Sequence, residues 1–145
     1  MEERKEMLLA TIKANVAPVL IETELLSAVK NIFVLPANID VKKLNGHYEG
    51  TEYLPPKWFA NISDGKVLVI DRIDSIPKEE QYKFVEILEY RKVSTFDLPK
   101  DCAIVLTADN ISKDTISEEI FSLVARIWGD YYGIWHWSFK KKNAC

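Results

Sequence analysis

The chain has 145 residues, 48% of them hydrophobic and 28% charged, with a net charge of −3. That is enough for one domain with a real core; it is too apolar for a disordered chain and too acidic for an overall nucleic-acid footprint. Two cysteines, Cys102 and Cys145, are too few and too far apart for a disulfide framework or a zinc site. With no signal peptide read at the start and no apolar run near about 18 residues, the expectation is a cytoplasmic protein without membrane contact.

In chain order, residues 1–15 put Leu8, Leu9 and Ile12 at helical spacing among charges, which predicts an amphipathic N-terminal helix. Pro18-Val19-Leu20-Ile21 follows as a strand, then a helix over 23–30 with Thr23 as its N-cap. Ile32-Phe33-Val34-Leu35 is a second strand, closed by Pro36. Asn45-Gly46 and Glu49-Gly50 read as turns, and residues 53–62 as an entry turn and a helix ended by Asp64-Gly65.

The most informative run is Val67-Leu68-Val69-Ile70-Asp71, four aliphatic residues leading into a carboxylate. Such a run predicts a strand buried on both faces, as in parallel sheets, with Asp71 at the end where open α/β sheets form their ligand crevice. Pro77 opens a helix over 78–89 with Tyr82, Val85 and Leu88, and Phe84 and Ile87 beside them, on a broad apolar face and Glu79, Glu80, Glu86 and Glu89 largely opposite. Residues 93–96 suggest a hairpin or a short insertion. Ala103-Ile104-Val105-Leu106-Thr107-Ala108 is another wholly apolar strand, ending in Asp109-Asn110, and Ser117 caps a helix over 118–125. The segment 127–145 reads as an aromatic terminal strand and tail. Trp135 and Trp137 share one face of it, Tyr131 and Tyr132 lie beside them, and Lys140-Lys141-Lys142 forms a solvated end. Tryptophan and tyrosine are favoured interface anchors, so these four aromatic residues are candidates for protein interaction. His47 and His136 lack partners at metal spacing, and no metal site is expected. Strands alternating with helices predict one α/β domain over 1–145, a three-layer sandwich around a mainly parallel sheet.

The ordered set Leu54-Pro55-Pro56-Lys57-Trp58-Phe59, Val67 to Asp71, Gln81, Leu88-Glu89-Tyr90-Arg91, Leu98-Pro99 and Ile104 to Asn110 resembles the AAA+ ATPases, most closely their MoxR-like branch. The resemblance covers roughly residues 50 to 128 and implies a P-loop NTPase-like core. It matches Asp71 to the Walker B aspartate that orients Mg²⁺, Asn110 to the sensor residue on the adjacent strand, and Arg126, loosely, to an arginine finger. Ile21 and Asp71 would then lie on neighbouring strands above which nucleotide sits.

The departures from the family point one way. The phosphate cradle G-x-x-x-x-G-K-[ST] is absent, and residues 18–22 run directly into Thr23-Glu24-Leu25-Leu26. The Walker B glutamate is replaced by Arg72, whose guanidinium cannot accept a proton. The helical lid of the family has no counterpart. The reading is therefore a degenerate, non-hydrolysing AAA+-like protein that leans away from being an enzyme, with no cofactor expected and Mg-ATP kept as the alternative. It would act through a protein partner, either a true AAA+ ATPase or a second copy of itself. One alternative is a weak or trans-acting ATPase subunit lending Asn110 or Arg126 to a neighbour. Another is a clamp-loader-like or phage-type adaptor touching nucleic acid only within an assembly.

Overall fold

The computed structural model describes residues 2–127. Among them the order is α1 (Glu2–Ala14), β1 (Val19–Glu22), β2 (Ile32–Pro36), α2 (Val41–Leu44), β3 (His47–Glu49), β4 (Glu52–Leu54), β5 (Val67–Asp71), α3 (Val85–Tyr90), β6 (Lys92–Val93), β7 (Phe96–Asp97), β8 (Ala103–Ala108), α4 (Glu118–Leu123) and β9 (Ala125–Ile127). Short 3-10 helices fill several connections: Thr23–Ala28, Lys57–Asn61, Ile73–Ser75 and Lys78–Phe84. No helix among the described residues is long and apolar enough to cross a membrane.

Five strands form one sheet in the order β2-β5-β8-β1-β9, with every pairing parallel. This is an α/β fold. Alternation sorts the strand residues onto two faces. Val19, Val69, Val105 and Ala125 stand in one row across the sheet, on the face where Leu8 of α1 and Leu25 pack. Leu68, Ile70, Ile104, Leu106 and Leu20 point the other way, against Phe84, Ile87, Leu88 and Ile120. Both faces are therefore covered, giving the three layers the alternation of elements predicts. All six residues of β8 are buried, so the centre of the sheet tolerates no polar group without a partner.

Several local expectations are corrected. The segment after β1 is a 3-10 turn, not an α-helix over 23–30. Glu22 holds the cap position without a side-chain cap bond, while the Thr23 hydroxyl is buried and has no hydrogen-bond partner among the described residues. The stretch from 78 is 3-10 as far as Phe84 and α-helical only over Val85–Tyr90. With about three residues per turn in its first half, the helix face rotates. Gln81 and Phe84 turn inward and Tyr82 outward, 67% exposed. Helix α4 stops at Leu123 because Ala125–Ile127 join the sheet beside β1. Ser117 does cap it, accepting from the Ile120 amide at 3.3 Å. Strand β8 separates β1 from β5, so Ile21 and Asp71 are not on neighbouring strands, although both strands end at the same edge. The β6–β7 hairpin is present as read.

Beside the sheet, the β3–β4 hairpin is held by an aromatic chain. Tyr48 meets Tyr53 at 4.8 Å between ring centroids, Tyr53 stacks on Phe96 at 5.7 Å, and Phe96 reaches Phe59 at 6.1 Å. Trp58 continues it to Phe33 of β2 and donates its indole N–H to Leu44 O at 3.1 Å. Gly46 makes the close approach feasible. A Cβ there would lie 2.7 Å from Leu54 O and 2.8 Å from the Tyr53 ring. Its amide donates to Ser94 Oγ at 2.9 Å.

Candidate functional site

All five strands end at one edge, and the sequence-predicted polar residues collect there. Burial of β5 and β8 on both faces brings the first hydrophilic residue of each to the strand end, where the chain leaves the core. Asp71 closes β5 and is half-buried. The Thr107 hydroxyl on the adjacent β8 donates to Asp71 Oδ1 at 2.8 Å, and the same oxygen accepts the Arg72 amide at 2.8 Å. Thr107 is fully buried. It thus fixes both the carboxylate and the first residue of the loop behind it, a role for which the strand pattern gives no signal.

Arg72 adopts the left-handed conformation, φ 57° and ψ 61°. For a residue with a Cβ this costs about 1 kcal/mol. Its Nε lies 4.0 Å from Asp109 Oδ2, with both side chains more than half exposed, so the pair contributes about 0–1 kcal/mol. The neighbouring carboxylates Asp71 and Asp74 are engaged elsewhere. Asp74 accepts the Asp109 amide at 3.1 Å and the Asn110 amide at 2.8 Å, so its carboxylate caps the turn that follows β8. Asn110 is exposed in that turn, and its carbonyl accepts the Thr115 hydroxyl at 2.6 Å. The structure therefore brings Asp71 and Asn110 to one edge, Asp71 at the end of β5 and Asn110 in the turn beyond the adjacent β8.

Gln81 binds this edge together from beneath. Fully buried, it donates through Nε2 to Ile73 O at 3.1 Å, Ile76 O at 3.3 Å and Thr115 O at 2.8 Å, and accepts the Ser117 amide at 2.8 Å. Two N–H groups shared among three carbonyls and one amide on the oxygen satisfy the whole side chain. Both loops behind β5 and β8 are thereby held by one residue. The only sequence signal for it is a polar residue on the inward side of a helical pattern.

Arg126 sits apart from that cluster, on β9 opposite Leu20. It is half-buried, with its guanidinium 4.9 Å from the Phe121 ring centre, and burial lowers its pKa. At the end of β1, Glu22 pairs with Arg4 of α1 at 3.5 Å. Among the described residues the strand ends thus carry the carboxylates Glu22, Asp71, Asp74 and Asp109 and the cations Arg4 and Arg72, with Lys78 and Lys113 in the loops beyond. Among the described residues no group of three His, Cys, Asp or Glu side chains could hold a metal ion. Cys102 is buried at the entry to β8, and burial raises its thiol pKa. Tyr131, Tyr132, Trp135 and Trp137, with His136 and Cys145, lie outside the described residues.

No family model matches the chain, and no curated protein does. Among solved structures it is similar to NtrX from Brucella abortus, at 16% sequence identity and a TM-score of 0.46. The match covers 86% of this chain and 36% of that one, so the chain spans about a third of the length of that structure.

Proposed function

We propose that this chain is a non-hydrolysing relative of the AAA+ ATPases, nearest their MoxR-like branch, that works by engaging another protein. One observation carries the reading. Strand β1 passes at Glu22 straight into a 3-10 turn, and a carboxylate paired with Arg4 stands where the family's strand would feed a phosphate cradle. A triphosphate at this edge would meet four carboxylates without the stacked amides and lysine that offset its charge elsewhere. Asp71 is already bonded to Thr107, and Arg72 supplies no lone pair for activating water. The neighbouring placement of the β5 and β8 ends, with Asp71 on one and Asn110 beyond the other, supports the ancestry.

Isothermal titration with Mg·ATP tests the first half: the expected result is no saturable heat, and micromolar binding would overturn the proposal. Co-elution with a MoxR-type ATPase, or self-association, on size exclusion with light scattering tests the second. Recovery of monomer alone in both runs would count against it. The trans-acting alternative is favoured only by the exposure of Asn110. An Asn110→Ala protein that altered the turnover of an added AAA+ ATPase would select that alternative.

A further inference from the structure

We propose that the groove between the β3–β4 hairpin and the outer face of residues 78–90 docks a basic segment of a partner protein, an extended stretch bearing arginine or lysine. Three phenolic rings border it, Tyr48 at 70% exposure, Tyr82 at 67% and Tyr90 at 64%. With Tyr53 they line an open hollow of about 1100 Å³. A second hollow of about 640 Å³ adjoins the first across Asn45, Tyr82 and Lys83, which line both. Large rings left in water at one place mark an interaction surface more often than rings scattered singly.

The charge of the trough selects the partner. Glu86 and Glu89 line the first hollow; Asp40, Glu79 and Glu80 line the second. Against these five carboxylates stands, among the described residues, one lining cation, Lys83, whose ammonium donates to Ile39 O at 2.7 Å and lies 5.3 Å from the Phe84 ring centre. Lys42 and Lys43, exposed on α2, are outside the lining. Two of the carboxylates are held in place by backbone amides: Glu86 accepts from Ser94 at 3.0 Å and Asp40 from Lys42 at 2.9 Å. A guanidinium laid on a tyrosine face within reach of a fixed carboxylate gains from the ring and the charge together. An acidic or wholly apolar partner would instead bury those carboxylates unpaired, and nucleic acid would be repelled by them. This deepens the protein-interaction half of the proposed function and does not depend on the AAA+ ancestry.

The test uses a fluorescein-labelled octapeptide alternating arginine and glycine, with the same peptide carrying glutamate for arginine as control, read by fluorescence anisotropy. Saturable binding of the arginine peptide alone is expected, weakening as salt rises. The Tyr82→Ala/Tyr90→Ala and Glu86→Gln/Glu89→Gln proteins should each bind about tenfold more weakly. A Glu2→Gln/Glu3→Gln protein, altered on the helix covering the opposite sheet face, should bind as the unmodified chain does. Circular dichroism confirms that each variant is folded. Absence of saturable binding, equal binding of both peptides, or an equal loss in the Glu2/Glu3 variant would overturn the inference. A silent peptide with a silent Mg·ATP titration removes this surface alone; a bound nucleotide with a bound arginine peptide removes the non-nucleotide reading alone.

Discussion

The polar edge of the sheet and the tyrosine-bordered trough beside it hold similar kinds of side chain and use them differently. At the edge, Asp71, Asp74 and Thr107 bond to their own protein, each carboxylate facing an amide or hydroxyl within about a turn of the strand end. In the trough, Tyr48, Tyr82 and Tyr90 stand in solvent. The residues that look chemical in the sequence fasten loops, and the surface able to meet another molecule lies on helix and hairpin positions that look ordinary. Polar side chains that complete a fold's own hydrogen bonds have little capacity left for a ligand.

Substitutions on the two regions should separate them by size of effect. Phe84→Ala, in the core that both regions share, should cost about 3–5 kcal/mol in chemical denaturation and weaken edge and trough alike. Gln81→Leu leaves one buried amide and three carbonyls short of a partner; about 2–4 kcal/mol is expected, with the loops behind β5 and β8 losing hydrogen-exchange protection first. Thr107→Val should cost about 1–2 kcal/mol and leave the response to Mg·ATP unchanged. If it instead altered nucleotide affinity, the edge would be a working site and the contrast would collapse.

The pH dependence offers a finer measure. The folded Cys102 thiol has its pKa raised above 9.0, by burial first and partly offset by Arg91. Its contribution to stability is therefore present below pH 9.0 and lost as pH rises toward the folded value, because the unfolded thiol ionises first. In Cys102→Ala the decline of stability above that pH should be shallower than in the unmodified chain, as followed by denaturation midpoints. Lys83 acts in the opposite sense, since burial lowers its pKa and stability from this group rises as pH approaches 10.5. The smallest effect belongs to the trough: Tyr82→Ala should change stability by no more than about 0.5 kcal/mol, since the ring is mostly in water. A larger loss would mean that the ring helps hold the fold.

Strands β1, β5 and β8 were legible because each carries a short aliphatic run, the signature of a strand covered on both sides, and the half-exposed edge strand β2 by its run of β-branched and aromatic residues. Their spatial order was not, since pairing depends on crossovers that leave no local trace, and β8 inserts between the two strands expected to touch. Three-residue β9 is too short to show a period and merged with the helix before it. The four-residue α2, capped by Asp40, left no periodic signal either. Tyr82 was misplaced because one helical period was assumed across a segment that changes pitch at Phe84. At the candidate site, Asp71 and Asn110 could be named from their strand ends, whereas the tethering by Thr107 and Gln81 depends on contacts 34 to 36 residues apart in sequence.

Gly46 gives the trough a property that its rings and charges do not. With Leu54 O and the Tyr53 ring already within van der Waals reach of the hydrogen that replaces a side chain there, the two arms of the β3–β4 hairpin can come no nearer to each other. The amide bonded to Ser94 ties that hairpin to the turn between β6 and β7. The shape of this wall of the opening is thus gauged by atomic radii and its position by one tether. An incoming chain would find a slot already cut to size, and adding a single methyl at this position would act as a shim, changing the fit of everything laid across it.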